Sequence, residues 1–138
     1  MIETAAVLLT WILLLVGTLD LGLVLFRHNL MQRLATEAAR LTAVRGANAT
    51  PQFVPWGPTT VEVSLDQSHA IAQLLRPLAL GLDPAQFQVR IEWPDGGNQY
   101  DQRVFVRVRS SQRTALTRFL PGDGDVPLQS TASARISL

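Results

Sequence analysis

The chain contains no cysteine and no lysine, and the absence of cysteine removes two kinds of site. Without cysteine, a disulfide framework and a thiolate metal site are both excluded. All twelve basic residues are arginine, and eleven acidic residues nearly balance them, which leaves a net charge of +1. The arginines are scattered rather than clustered, so we do not expect nucleic acid among the partners.

Sequence motifs for catalysis and metal binding are also missing. The two histidines, His28 and His69, lie far apart and have no second ligand at a suitable spacing. Aspartate and glycine together form turns readily, and the full alternating pattern of a calcium loop is absent, so turn formation is the favoured explanation for the remaining acidic candidates. These candidates are Asp95, Asp101, Asp123 and Asp125. We therefore expect no catalytic residue, no cofactor, no metal site and no enzyme activity.

One long apolar run begins the chain. Residues 5–26 contain Asp20 as their only ionisable side chain, and a helix of this length reaches about 33 Å, enough to cross a bilayer. The helical pattern continues beyond the run, with apolar residues on one face. These residues are Leu30, Leu34, Ala38 and Leu41. We predict one helix from Ile2 to about Arg45, in which 1–26 is a transmembrane segment and 27–46 an amphipathic continuation that packs on the following domain.

The charged residues around this segment bear on its orientation in a membrane. A cleavable signal would begin with basic residues, and none precedes the apolar run, so an ordinary signal anchor is the simple alternative. Four arginines follow the run, and the positive-inside rule would place them in the cytoplasm. They are Arg27, Arg33, Arg40 and Arg45.

Two acidic residues in the membrane segment are candidates for contacts with other helices. Glu3 stands near the helix start, where a carboxylate is favoured by the helix dipole; it is either a simple interfacial charge or a partner for a cation on a neighbouring subunit. Asp20 is costly in a membrane and lies between Gly17 and Gly22, whose small size permits close helix approach. It either reaches the headgroup zone without a specific role or helps to set helix packing.

The remaining residues, 47–138, suit one small domain. Period-two alternation predicts strands over 59–65, 87–93, 104–108 and, more weakly, 128–138, with a hairpin joining the second and third. A short helix opens at Ser68 and is ended or kinked by Pro77, and 112–120 is either a short helix or a loop. We expect an α+β fold in which the long helix packs on a small antiparallel sheet.

A proline-rich loop lies between the helix and the first strand. It carries Phe53, Val54 and Trp56, which either pack back on the domain or form an exposed apolar patch. Packing is the favoured interpretation.

Several of these features together resemble the TadE-like proteins, which are minor pilins or pseudopilins of tight-adherence (Tad, Flp-type) pili. The resemblance is carried by Ile2-Glu3 before the apolar run, by Gly17-Thr18-Leu19-Asp20-Leu21-Gly22 near its end, by Ala38-Ala39-Arg40 after it, and loosely by the last 20 residues. Two departures stand out. No basic leader precedes the apolar run, and the glutamate is the third residue, whereas it is usually the fifth in mature related pilins.

The resemblance implies a single-pass protein of the bacterial inner membrane with a periplasmic C-terminal domain. Its implied partners are other pilin or pseudopilin subunits, an inner-membrane assembly platform, the lipid bilayer, and a prepilin peptidase that acts on a precursor with a basic leader. We expect such a leader upstream of an internal or engineered Met1, and its charges would keep the N-terminus cytoplasmic. The alternative function is a membrane-anchored binding or adhesion module in which the helix is only a tether.

Overall fold

In a computed structural model, which describes residues 2–49, 55–79, 83–113 and 125–137, one unbroken helix precedes a sheet. The sheet has the order β1-β2-β3-β4, and every neighbouring pair is antiparallel. The main elements are α1 (Ile2–Ala43), β1 (Val61–Ser64), α2 (Ala70–Leu75), β2 (Phe87–Glu92), β3 (Arg103–Arg113) and β4 (Asp125–Arg135), with 3₁₀ turns at Arg76–Ala79 and Pro84–Gln86. The predicted α+β class and the long N-terminal helix on an antiparallel sheet are thus confirmed.

The alternation seen in the strands places one apolar face of the sheet against α1. Val89 and Ile91 of β2 and Val106 of β3 are almost completely buried, whereas Gln88 and Arg109, at alternate positions of the same strands, are exposed. Val89 pairs with Val108, and Ile91 with Val106, so the buried side chains of adjacent strands share one face. This face and the second half of α1 form a single hydrophobic core.

The hairpin between β2 and β3 is confirmed, and β3 is longer than the alternation indicated. β3 continues to Arg113, so Gln112 and Arg113 lie in a strand where we predicted a short helix or loop. β4 correspondingly begins at Asp125 rather than Leu128. Arg109–Arg113 has no apolar alternation, and it is held as a strand by backbone pairing with β4, which no local pattern reveals. The rest of the predicted 112–120 segment lies outside the described residues.

α2 begins one residue later than predicted, and proline ends it. His69 rather than Ser68 occupies the N-cap, and its Nδ1 accepts a hydrogen bond from the backbone N–H of Ile71 at 3.3 Å. The α-helix stops at Leu75 and continues as a 3₁₀ turn, because Pro77 has no N–H for the helical ladder. Arg76 donates to the carbonyls of Leu65, Asp66 and Gln67, and thereby fixes the loop that precedes α2.

Gly57 is the glycine whose replacement should cost most. Its φ is +99°, and a Cβ built there would lie 2.6 Å from Cε2 of the buried Trp93 indole. We expect Gly57→Ala to lower the free energy of unfolding by about 2–4 kcal/mol, because backbone strain adds to the clash. The measurement is urea denaturation of the full chain in detergent micelles.

Gly96→Ala is the matched control for this variant. Gly96 also has a positive φ, +74°, but a Cβ there would meet open space. The Gly96→Ala variant should lose only the part of the free energy of unfolding that comes from backbone strain, about 1–2 kcal/mol. Equal losses in the two variants would contradict the Trp93 contact.

The turn between β2 and β3 is held by a carboxylate. Asp95 accepts from the Arg103 backbone N–H at 2.8 Å and from its Nη2 at 2.7 Å, and these hydrogen bonds lower the pKa of Asp95 to about 2. A depressed carboxyl pKa stabilises the folded state fully above the ordinary pKa of 3.8, and this contribution is lost as the pH falls through about 2. Asp101 pairs similarly with Arg135, at 2.8 Å.

Asp95→Asn should therefore lower the melting temperature at pH 5 to 7, and this difference should shrink steadily as the pH falls from about 4 through 2. The reason is that the stabilisation by the wild-type carboxylate is lost as the pH falls through its folded-state pKa of about 2. Thermal scans of both proteins at each pH give the comparison. A difference that stays constant from pH 7 to pH 2 would show that the carboxylate charge is not responsible.

Candidate functional site: the N-terminal helix

α1 has two halves with opposite surroundings. From Ile2 to Phe26 most of its large apolar side chains are exposed; Trp11, for example, retains 69% of its accessible surface. An 18-residue window of this helix has a mean hydropathy of 2.3 and none of it is buried. This half is therefore a candidate membrane anchor, consistent with a single-pass membrane protein.

The second half of α1 is part of the domain core. Its buried residues follow a spacing of three and four and so lie on one side of the helix. They are Met31, Leu34, Ala35, Ala38, Ala39, Thr42 and Ala43. Leu34 and Ala38, which the pattern had placed against the domain, lie in the centre of this face, while Leu30 and Leu41 pack at its margin and stay partly exposed.

Five buried residues of α1 were not identified from the sequence: Met31, Ala35, Ala39, Thr42 and Ala43. Four of them are small, and small side chains let the helix axis approach the sheet closely. The sequence feature that could have identified them is the three-and-four spacing, which is followed by Met31, Leu34, Ala35, Ala38 and Thr42. Thr42 avoids an unsatisfied buried hydroxyl because its Oγ1 donates to the Ala38 carbonyl at 2.7 Å.

The C-terminal end of α1 is tied to three other parts of the domain. Ser137 donates its backbone N–H to the Ala43 carbonyl at 3.0 Å, which satisfies one of the free carbonyls at the helix end. Ala47 donates to the Asn98 carbonyl, and the Asn98 side-chain amide donates to the Trp56 carbonyl at 3.1 Å. These bonds leave no flexible joint where the helix meets the domain.

Trp56 belongs to this junction. It is 8% exposed, and the Arg45 guanidinium lies 4.3 Å from its ring centroid, a cation–π contact. Its backbone N–H donates to the Arg45 carbonyl at 2.9 Å. Trp56 therefore packs back on the domain, which is the arrangement that the sequence favoured for this loop. Phe53 and Val54 lie outside the described residues.

The predicted helix-packing residues of the membrane half do not all share one side. Gly17, Asp20, Val24 and Arg27 follow a spacing of three and four that leads directly into Met31, and all four are half-buried. This stripe is continuous with the face that packs on the sheet. Asp20 therefore lies on the same side of α1 as the core, together with Gly17.

Gly22 and Glu3 lie elsewhere on the helix. Gly22 is two residues beyond Asp20, so it projects from another side, and a Cβ there would meet open space. Glu3 is exposed in the first turn, where the exposed N–H groups favour a carboxylate. Gly22 and Glu3 are thus open to a partner outside the chain.

Arg27 marks the boundary between the two halves. It is half-buried, its Nε has no hydrogen-bond partner within the described residues, and desolvation lowers its pKa. Because an arginine side chain ordinarily loses its proton only far above neutral pH, the guanidinium remains charged at neutral pH. Arg27 thus places a positive charge where the candidate span ends.

These features define a class of protein: an α+β domain whose first helix extends beyond it as an apolar rod. The family model of TadE-like proteins matches residues 1–40, and this confirms the resemblance seen in the residues themselves. The matched segment includes the candidate span and most of the core-forming half of α1, and it associates the chain with Tad pilus systems. Comparison with curated proteins and with solved structures found no match.

Leu34→Ala should destabilise the domain by about 2–5 kcal/mol, because it leaves a cavity at a fully buried position between helix and sheet. Urea unfolding of the full chain in detergent, followed by near-ultraviolet circular dichroism, measures the loss. Leu14→Ala, in the exposed half of the same helix, is the matched control and should leave the midpoint unchanged. Equal effects of the two substitutions would mean that the two halves of α1 do not differ in packing.

Proposed function

We propose that this chain is a structural minor pilin or pseudopilin that takes part in the assembly of a Tad-type pilus at the bacterial inner membrane. The observation that carries the proposal is the continuity of α1. The same helix supplies an exposed apolar segment and the central core element of the domain, without a hinge between them. The match to TadE-like proteins over residues 1–40 supports the same assignment.

A rigid helix of this kind is suited to assembly by helix packing. In the bilayer its exposed side chains contact lipid, and in a filament the same side chains would contact the helices of neighbouring subunits. Since lipid tails are as apolar as leucine, helix association depends on close packing and on polar contacts rather than on hydrophobic burial alone. Gly22 offers open space for such packing, and Glu3 offers an exposed carboxylate.

Glu3 would set the axial position of the subunit in the filament. A carboxylate at the membrane boundary that pairs with a cation on a neighbouring subunit gains energy in a low dielectric, and only in one register. Asp20 and Gly17 would contribute to helix packing from the side of α1 opposite Gly22. In this role the protein is non-catalytic, and it needs no cofactor or metal.

Topology and partners follow from this role. The N-terminus would be cytoplasmic and the sheet domain periplasmic, and a prepilin peptidase would process a precursor with a basic leader. The partners would be other pilin or pseudopilin subunits and the inner-membrane assembly platform.

The rival function is an anchored binding or adhesion module, and exchange of the membrane half distinguishes the two. Replacement of residues 1–26 by an unrelated membrane anchor of equal length should abolish recruitment into the Tad system, because the anchor lacks the packing residues. Co-purification with Tad pilin subunits and electron microscopy of pili are the measurements. A tethered adhesion module would keep its function after this exchange.

Glu3→Ala should leave membrane insertion and domain stability intact and reduce incorporation into the pilus by tenfold or more, roughly the value of one ion pair in a low-dielectric setting. Quantitative immunoblots of membrane and sheared-pilus fractions give both quantities. Glu37→Ala, which removes a carboxylate from the domain half of the same helix, is the control and should incorporate normally. Normal piliation in the Glu3 variant would remove Glu3 from the mechanism.

A further inference from the structure

The outer edge of β4 has no strand paired to it within residues 2–49, 55–79, 83–113 and 125–137. β4 is the last strand in the sheet order, and β3 occupies its other side. Natural proteins usually protect a long edge strand with charges, prolines or a bulge. Between Pro127 and Arg135 the sequence is LQSTASA, and the register with β3 continues one residue to one residue. These seven positions carry no such protection.

The backbone pairing identifies which groups face outward. The Ile136 N–H donates to the Gln102 carbonyl beside β3, whereas the N–H of the next residue, Ser137, donates away from β3 to Ala43. Because backbone groups alternate along a strand, Gln129, Thr131 and Ser133 direct both N–H and C=O toward the open edge.

Pro127 gives an independent check of this alternation. Pro127 is an odd-numbered residue of β4, like Gln129. Because proline has no N–H, it fits a strand best where that group would not pair with the neighbouring strand, here β3. Its place in the strand is therefore consistent with outward-facing groups at the odd-numbered residues. The side chains of Gln129, Thr131 and Ser133 are exposed on the sheet face opposite α1.

This face of the sheet is positively charged near the open edge. Arg107 lies opposite Thr131 and Arg109 opposite Gln129, one strand in from the edge. Neither arginine forms an ion pair with another described residue, and the buried Nε of Arg107 has no hydrogen-bond partner there. An added strand would lie about 10 Å from β3, a separation that a long arginine and a glutamate side chain span together across small neighbours.

From these observations we infer that β4 is a docking edge for an extended, acid-bearing strand of a different protein chain. The strand would add to the sheet as a fifth strand. Its backbone would bond to the outward groups of Gln129, Thr131 and Ser133, and its acidic side chains would meet Arg107 and Arg109. The inference concerns the domain and does not depend on the proposed pilin function.

A second copy of the same chain does not fit this edge. Antiparallel pairing of two β4 strands in one continuous sheet requires a two-fold axis perpendicular to the sheet. Because α1 packs along the sheet face, this axis would reverse α1 in the second copy, and the two apolar segments could not enter one membrane from the same side. The axis would also bring the arginine-bearing faces of both copies together.

The test uses the isotope-labelled full chain in detergent micelles and two synthetic eleven-residue peptides, one of alternating valine and glutamate and one of alternating valine and lysine. The glutamate peptide should bind and slow the hydrogen exchange of the Gln129, Thr131 and Ser133 amides. The amides of Ser130 and Ala132, which already pair with β3, should change little. The lysine peptide should not bind. Absence of glutamate-peptide binding, or equal binding of both peptides, would overturn the proposal.

Thr131→Pro removes one outward N–H, a change that edge strands tolerate. It should weaken the binding of the glutamate peptide by about fivefold or more. Thr131→Val keeps the N–H and should bind like the wild type. Arg107→Ala with Arg109→Ala should weaken binding and lower its salt dependence, which separates the contribution of charge from that of the backbone.

Unchanged affinity in the Thr131→Pro variant would overturn the proposal. If this variant does not fold, the hydrogen exchange of the wild-type amides with and without the glutamate peptide decides whether the peptide pairs with the edge of β4. A dimer in analytical ultracentrifugation that protects these amides without peptide would mean that the edge binds a second copy, and this outcome too would overturn the proposal.

Discussion

Everything else in this fold depends on the burial of one side of α1 against the sheet. Met31, Leu34 and Ala38 lose nearly all contact with solvent there, and no other helix in the described part of the chain is long enough to cover the strands. Each fully buried leucine contributes about 1.5–3 kcal/mol. Because the same helix continues as an exposed apolar segment, the stability of the domain and the position of the candidate membrane span are set by one element.

The junction at Ala43 shows how a helix is joined to a domain without a linker. Hydrogen bonds from Ser137 to Ala43 and from Ala47 to Asn98, together with the Arg45–Trp56 contact, fix the direction in which the helix leaves the domain. A tether requires no such fixing, whereas a subunit that must present its helix and its domain to neighbours at a set angle does. This contrast is the physical basis for preferring an assembly role over simple anchorage.

Some of this architecture could be predicted from the sequence, and the reasons for the rest are specific. The apolar run and the continuing helical pattern identify α1, and alternation of Val104, Val106 and Val108 identifies the first half of β3. The second half of β3 is polar on both faces and is a strand because of its pairing with β4. Ala35 and Ala39 are core residues because they are small, which hydropathy does not signal. The separation of Gly17 and Asp20 from Gly22 around the helix follows from spacing, once the side that faces the sheet is known.

The bond between Ser137 and Ala43 joins residues 94 positions apart. The first helix leaves the ribosome with an apolar side that is not covered until β4 has been synthesised. Native contacts of such large sequence separation form slowly, and exposed apolar surface in the meantime favours aggregation. Biogenesis of this protein thus has a vulnerable interval between emergence of the helix and synthesis of β4, during which a chaperone would have to shield the apolar side.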